Sequence, residues 1–177
     1  METPAISVKK VLKILNKRRT KLLGKGTYGK VFLAEYKKTK YALKVDCTSQ
    51  MRGHYYREVV FLERLGGAGG APTPIRFCPL IPAFLMSLSK GYNLEDYLSD
   101  AKEDVDLLFL YNVAIRVTER LAEIHRKGVV HCDLKADNVM FSVDGDGKLE
   151  EVYIIDFSCA CFVGQCQPVE YLVNNLP

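Results

Sequence analysis

Apolar and polar residues follow a helical period in some segments of this chain and a two-residue period in others. Residues 6–16 carry apolar side chains at the i, i+3, i+4 and i+7 spacing that predicts a short amphipathic helix. Residues 31–36 alternate between two faces, and a Lys-Lys-Thr-Lys turn separates them from a strand-like run at 41–45. Together with the short apolar run before Gly24, these signals predict a three-strand antiparallel meander.

A second helix is predicted at residues 51–65, where Val59, Leu62 and Leu65 fall on one stripe. The Gly-Gly-Ala-Gly-Gly-Ala-Pro segment that follows is a strong signal for the end of a helix. Strand-like apolar runs resume directly after it. We therefore interpret the glycine-rich segment as a short loop and not as a linker between domains.

Helical patterns dominate after Asn93, which suits the N-cap of a short helix. The longest periodic segment covers residues 104–127. Its apolar face runs from Leu107 and Leu108 to Ile124 and is predicted to be buried. Two strand-like runs and an Asp-Gly-Asp-Gly turn come next. Strands mostly precede helices, and this order predicts an α+β fold with two segregated lobes.

Composition and charge indicate a globular protein rather than a disordered chain. Its 177 residues are 48% apolar and 26% charged, which is enough apolar surface for a packed core. The net charge is +4, and much of the excess lies in basic clusters at 17–21 and 37–40. We interpret these clusters as a solvated helix end and a solvated turn, so that nucleic-acid binding is unlikely as a function.

The sequence has neither a secretory h-region nor a run of about 18 apolar residues, so we expect no membrane association. Six cysteines without a C-x-x-C pair predict reduced thiols and a cytoplasmic or nuclear protein. The spacing from Cys159 to Cys166 matches no common zinc module. The turn at 144–147 is predicted to be a hairpin turn, because a calcium loop starting at Asp144 would need a glutamate where Ile155 stands.

The first segment with chemical meaning is Gly24-x-Gly26-x-x-Gly29-x-Val31. Glycines at this spacing let a backbone lie close over phosphates, since no Cβ intervenes. A dinucleotide site would place a helix directly after the glycines. Here an aromatic and β-branched run follows, which favours a glycine-rich hairpin.

Lys44 lies in the apolar strand-like run Tyr-Ala-Leu-Lys-Val, from which its amine can point into a cleft and contact phosphate oxygens. An acidic residue on the following helix would aim this lysine. Both Glu58 and Glu63 are candidates, and helical phase alone does not decide between them.

Two further segments carry carboxylates in strand-flanking loops. The octapeptide 131–138, His-Cys-Asp-Leu-Lys-Ala-Asp-Asn, follows the long helix and a short strand-like run. Its Asp133 could accept the proton of an incoming hydroxyl group. The second segment, Ile-Asp-Phe-Ser at 155–158, ends an apolar strand with Asp156.

These four segments, in this order and spacing, resemble the eukaryotic protein kinase family of serine/threonine type over residues 20–160. The resemblance implies a single bilobal domain across 1–177. An N-lobe with an antiparallel sheet and one helix would cover about 1–87, a hinge about 87–92, and an incomplete, mainly helical C-lobe about 93–177. It implies a kinase that transfers the ATP γ-phosphate to a protein hydroxyl, with ATP and Mg²⁺ as cofactors.

The resemblance also implies roles for individual residues. Asp133, Lys135 and Lys44 would be catalytic, with Glu58 forming an ion pair and Asn138 and Asp156 binding the metal. Val139 or Met140 would lie below the adenine, and Met86 would gate the back pocket. The residues implied to contact ATP are Gly24, Lys25, Gly26, Thr27, Tyr28, Gly29, Val31, Ala42, Lys44, Met86, Ser87 and Ser89.

The sequence departs from the family pattern in three places. Cys132 replaces the arginine that often precedes the catalytic aspartate, and Ser158 replaces a glycine. No Ala-Pro-Glu sequence occurs before the last residue, Pro177. We therefore expect an uncovered apolar face on the helix at 104–127, available to a partner kinase or to self-association. The alternative to an active kinase is an ATP-binding, catalytically weak or inactive decoy or regulatory docking module for another kinase.

Overall fold

A computed structural model describes residues 2–16, 20–26, 29–45, 52–101 and 106–165, which form an α+β arrangement with a sheet-rich first half and a helical second half. The predicted fold class is confirmed. The chain begins with a short segment whose Ala5 pairs in parallel with Phe77, before the first helix.

Five strands form the antiparallel sheet of the first half, in the spatial order β1-β2-β3-β5-β4. They are β1 (Lys21–Gly26), β2 (Gly29–Tyr36), β3 (Thr39–Val45), β4 (Pro74–Cys78) and β5 (Ala83–Met86). The predicted meander corresponds to β1–β3. Lys37 and Lys38 join β2 to β3 with φ values of 50° and 66°, the conformation of a two-residue hairpin turn. Both lysines are exposed, as the solvated-turn interpretation predicts.

Each face of the sheet is covered by a helix. Alternate residues such as Leu43 and Leu85 pack against Val11 and Ile14 of α1 (Val8–Leu15). Residues on the other face, including Ala42, pack with the buried stripe of α2 (Arg52–Leu65). The two-residue period therefore places Lys44 on the same face as Ala42, beneath α2.

The glycine-rich loop after α2 packs against the long helix of the second half of the molecule. It forms a single 3₁₀ turn at Ala68–Gly70, and Gly69 has a φ of 72°. A Cβ at residue 69 would lie 2.5 Å from Cδ1 of Ile124, and the Gly69 N–H donates to Glu123 Oε2 at 2.8 Å. Only glycine permits this approach, which holds the loop against the long helix and agrees with its interpretation as a short loop and not a linker between domains.

The second half contains α3 (Leu94–Ala101) and α4 (Leu107–Arg126), together with β6 (Tyr92–Asn93), β7 (Val129–Val130), β8 (Val139–Val143), β9 (Leu149–Ile154) and β10 (Cys161–Phe162). The strands form a β6-β8-β9 sheet and a separate β7-β10 pair. Asn93 caps α3 as predicted, accepting the Glu95 N–H at 2.8 Å. Asp144 forms the predicted hairpin turn by accepting two backbone N–H groups at 2.9 Å.

The predicted burial of the long helix was wrong in its first turn, where the structure agrees with the uncovered apolar face also expected on this helix. Val113 and Ile124 are buried, but Leu107 and Leu108 are 68% and 71% exposed. The apolar cluster of β8 and β9 contacts α4 only from Phe109 onward, so no described element covers the first turn. No helix in the described ranges is long and apolar enough to cross a membrane.

Candidate active site

A buried lysine between two carboxylates joins the two halves of the molecule. Nζ of Lys44 lies 2.9 Å from Oε1 and 2.8 Å from Oε2 of Glu58 on α2. The same nitrogen lies 2.7 Å from Oδ1 of Asp156, just beyond β9. Lys44 is 8% exposed and Glu58 is 3% exposed. One amine on the sheet therefore fixes both a helix of its own lobe and a loop of the other.

The choice between the two candidate glutamates follows from their positions on α2. Glu58 faces the sheet and reaches Lys44, whereas Glu63 accepts the backbone N–H of Thr3 at 2.7 Å. Glu63 therefore anchors the N-terminal segment and does not contact Lys44. Since five residues are not a whole number of helical turns, the two carboxylates leave α2 in different directions.

The charges of this cluster are set by burial and by mutual attraction. Burial alone would lower the pKa of Lys44, but the carboxylates of Glu58 and Asp156 raise it above its usual value. Burial raises the pKa of Glu58, and the ammonium of Lys44 offsets only part of this effect. Burial tends to raise the pKa of Asp156 as well, but Lys44 and hydrogen bonds from Ser158 hold this pKa below its usual value. Lys44 is therefore a permanent cation and Asp156 an anion at neutral pH.

Within the loop at 131–138, the side chains of Asn138 and Lys135 contact Asp133. Asn138 Nδ2 donates to the backbone oxygen of Asp133 at 2.7 Å and to its Oδ2 at 3.1 Å. Lys135 Nζ lies 3.3 Å from the same Oδ2, and about half of its side chain is exposed. The carboxylate of Asp133 is thus oriented, accompanied by a cation and accessible to solvent.

His131 connects this loop to the segment that carries Asp156. Its Nε2 lies 2.9 Å from the carbonyl oxygen of Ile155, and its Nδ1 accepts the Asp133 N–H at 3.3 Å. These two bonds assign the neutral tautomer with a proton on Nε2. Burial lowers the pKa of His131, which favours the same neutral state. In addition, the Ile155 N–H donates to the Asn138 carbonyl at 2.9 Å.

The segment after β9 turns sharply at Asp156, which has a φ of 61°. Phe157 follows it into the apolar core beneath α2, where it is 0% exposed, and its ring lies 4.7 Å from the ring of His131. Ser158 is buried in a 3₁₀ turn and has a negative φ. Serine in place of glycine therefore introduces no backbone strain in this conformation.

The oxygen donors of the cleft suit a hard divalent cation. The amide of Asn138 contacts Asp133 through its nitrogen, so that its Oδ1 is directed elsewhere. Asp156 binds Lys44 through Oδ1, which leaves its Oδ2. Amide and carboxylate oxygens are the ligands that Mg²⁺ takes from proteins. The hydrogen bond from Ile155 to Asn138 holds Asn138, just before β8, close to Asp156, just after β9, so the donor set fits the ion.

Most of the glycine-rich residues that the resemblance implies for ATP binding lie within the part of the chain that the structure describes. A Cβ built at Gly24 or Gly26 would meet no atom of the described residues within 4 Å, so none of these residues fills the space beside the two glycines. Lys25 in that hairpin is exposed and Gly29 begins β2, whereas Thr27 and Tyr28 lie outside the described residues.

The implied adenine region lies where the central strands meet. Ala42 pairs with Met86, both are buried, and Val31 packs against the same cluster. The Ser87 N–H donates to the Thr73 carbonyl at 2.9 Å, so of its backbone groups only the carbonyl can face a ligand.

Ser89 lies two residues farther along in the connecting segment and is partly buried. Val139 packs with Phe141 in the cluster on α4, which places Met140 on the opposite face of β8. Of the two residues that the resemblance left open, Met140 therefore suits the floor of the adenine region.

Sequence reasoning missed three features of the site. It assigned no role to His131, it did not identify Thr73 as the partner of Ser87, and it did not bring Cys161 near Cys132. The contacts of Thr73 and Cys161 join distant segments, for which a single sequence carries no local signal. The motif containing His131 was itself recognised, and a buried histidine between two loops could have been inferred from it.

Comparisons with known proteins agree with this geometry. The sequence model of the family described as "Protein kinase domain" matches residues 18–175. The serine/threonine-protein kinase ksp1 of Schizosaccharomyces pombe is 27% identical over 173 residues. That alignment covers 85% of this chain but 35% of the relative, so the chain spans about a third of its length.

Proposed function

The chain belongs to the protein kinase domain family, and on this premise we propose that it transfers the γ-phosphate of ATP to a serine or threonine hydroxyl of a protein. The observation that carries the proposal is the contact of Lys44 with both Glu58 and Asp156. This contact places Lys44, the amine proposed to contact the phosphates, beside Asp156, the carboxylate proposed to bind the metal. Phosphoryl transfer depends mainly on such positioning and on charge neutralisation.

Residues of this chain supply each group that the transfer reaction needs. The Lys44 ammonium is directed at phosphate oxygens, and Asn138 and Asp156 would hold Mg²⁺, which neutralises phosphate charge when bound. Asp133 accepts the proton of the attacking hydroxyl, and its orientation is fixed by Asn138. Lys135, 3.3 Å from Asp133, can move to the transferred phosphoryl group because its side chain is half-exposed.

The test is magnesium-dependent transfer of radiolabelled γ-phosphate to a generic basic protein. Asp133→Asn keeps the size of the side chain but removes its basicity, so its rate is expected to fall by about 10²–10⁴-fold. Lys44→Met is expected to be similarly impaired. Asp137→Asn is the matched control, because Asp137 lies in the same loop and is exposed. Equal rates for the wild type, Asp133→Asn and Lys44→Met would refute the proposal.

One observation favours a second candidate function, that of a nucleotide-binding module that docks on another kinase. Four large apolar side chains form an exposed stripe on α4, namely those of Leu107, Leu108, Tyr111 and Ile115. An apolar patch of this kind marks an interaction surface in many proteins. This function predicts thermal stabilisation by MgATP without any phosphate transfer. Transfer that depends on Asp133 would exclude it.

A further inference from the structure

Two thiols from distant parts of the sequence meet beside the catalytic loop. Sγ of Cys132 lies 3.4 Å from Sγ of Cys161. Cys132 directly precedes Asp133, and Cys161 is in β10, five residues after Asp156. A disulfide requires a sulfur–sulfur distance of about 2.05 Å, so the two atoms need to approach by a further ~1.4 Å.

The strand pairing of this region keeps the two cysteines together. β10 pairs with β7 so that Cys161 lies opposite Val130, and Cys132 follows Val130 by two residues. Val163 extends the pairing by donating its N–H to the Gly128 carbonyl at 2.9 Å. Backbone hydrogen bonds between the two strands therefore hold the two cysteines within reach of each other.

The two thiols differ in their access to solvent. Cys132 is exposed, whereas Cys161 is 8% exposed. A dissolved oxidant therefore reaches Cys132 first, and the buried thiol is placed to react with whatever forms there. Cys159 is the nearest competitor in sequence. Burial and the neighbouring Asp133 carboxylate raise the pKa of the Cys159 thiol, which reduces its reactive thiolate fraction.

We propose that Cys132 and Cys161 form a reversible disulfide when the protein meets a hydroperoxide. In the first step the Cys132 thiolate attacks one peroxide oxygen, the O–O bond breaks, and Cys132 becomes a sulfenic acid as hydroxide leaves. In the second step the Cys161 sulfur attacks the Cys132 sulfur, the S–O bond breaks, and water leaves. Two thiols and one hydrogen peroxide thus give one disulfide and two waters.

The disulfide acts on the catalytic loop through its neighbour in sequence. Cys132 has a φ of 64°, a constrained conformation for a residue with a Cβ, so its movement is transmitted to the adjacent backbone. Movement toward Cys161 pulls on the Asp133 N–H, which is held to His131 by a long bond of 3.3 Å. A misplacement near 1 Å can lower a catalytic rate by about 10²-fold. This consequence for activity rests on the proposed function, whereas the formation of the disulfide does not.

The test begins with chemistry and not with activity. The intact protein is treated with a small molar excess of hydrogen peroxide, alkylated under denaturing conditions, and digested with trypsin. Cleavage after lysine and arginine places Cys132 in peptide 128–135 and Cys161 in peptide 149–177. We expect mass spectrometry to find these peptides joined, with fragmentation locating the bond at Cys161. Reduction with dithiothreitol should separate them.

Three variants make the result specific. Cys132→Ser and Cys161→Ser should each abolish the joined peptides, whereas Cys159→Ser should form them at the wild-type rate.

Peroxide should lower the rate of phosphate transfer by the wild type about 10–100-fold, with the same half-time as disulfide formation, and dithiothreitol should restore the rate. Cys161→Ser should resist this loss. Absence of the joined peptides, or a bond to Cys159 instead, would overturn the proposal. If the disulfide forms without any change in transfer activity, the regulatory role is refuted. If the reduced protein transfers no phosphate at all, the proposed kinase function is refuted. The disulfide itself is then still tested by whether the joined peptides form.

Discussion

Removal of the amine of Lys44 is the perturbation that tests the charge cluster most sharply. In Lys44→Met the side chain keeps most of its volume, but Glu58, at 3% exposure, loses both of its contacts with Nζ. Removing one partner of a buried ion pair costs about 3–5 kcal/mol, because the other charge is left buried without compensation. We expect the free energy of unfolding to fall by that amount at pH 7–8.

The loss should depend on pH in a defined direction. Burial already raises the pKa of Glu58 above its ordinary value of 4.5 in the folded protein, and without Lys44 the rise is larger. A carboxyl with a raised folded pKa takes up a proton on folding, so its penalty is absent below the unfolded pKa and grows as the pH rises toward the folded pKa. The slope is about 1.4 kcal/mol per pH unit. The destabilisation should therefore be smaller at pH 5 than at pH 7, with this slope as the upper limit of the change.

Urea unfolding at several pH values between 5 and 8 measures this effect. Lys10→Met is the matched control, because Lys10 is exposed on α1 and its replacement should have little effect at any pH. The double variant Lys44→Met/Glu58→Gln should lose the part of the pH dependence that Glu58 contributes, whereas Asp156, which also loses its contact with Lys44, should contribute in both variants. If Lys44→Met were destabilised equally at pH 5 and pH 8, or if the double variant kept the whole pH dependence of Lys44→Met, the assignment of Glu58 as the buried partner would be refuted.

Three further predictions use the same protein. In urea unfolding, Gly69→Ala should lower the free energy of unfolding by about 1–3 kcal/mol more than Gly147→Ala. Both positions have a positive φ, but only a Cβ at residue 69 would press against Ile124. Equal losses in the two variants would contradict the packing argument. Asn93→Ala should cost about 1–2 kcal/mol in thermal unfolding, since it removes both the cap of α3 and a 2.7 Å bond to the Asp137 carbonyl, and an unchanged melting temperature would count against it. Glu58→Gln should reduce the rate of phosphate transfer roughly tenfold or more, because Lys44 is misplaced. Glu63→Gln should leave the rate unchanged. A loss of activity in Glu63→Gln and not in Glu58→Gln would contradict the assignment of Glu58 as the partner of Lys44.

Local patterns predicted most of the fold because they have local causes. The alternation in residues 31–36, the turn at Lys37–Lys38 and the apolar stripe on α2 each depend on neighbouring residues, and all were found. The first turn of α4 was predicted wrongly because burial depends on what covers a face, and periodicity does not report that. Leu107 and Leu108 have the correct spacing but no described cover.

The candidate site was predictable as a set of residue types but not as a set of contacts. Helical phase did not choose between Glu58 and Glu63, because the choice depends on how α2 lies against β3. The contact between Cys132 and Cys161 depends on the pairing of β7 with β10, two strands of two residues each. Pairing between such short strands is set by tertiary packing, so the sequence carried no signal for it.

The central claim is that Lys44, Asn138 and Asp156 form one site for ATP and magnesium. Isothermal titration of ATP in excess Mg²⁺ or in excess chelator, with the wild type and Asp156→Asn, tests it most directly. We predict that the wild type binds ATP much more tightly with Mg²⁺, and that Asp156→Asn loses this magnesium dependence while it remains folded. Wild-type binding that is the same with and without Mg²⁺, or unaltered binding by Asp156→Asn, would contradict the account.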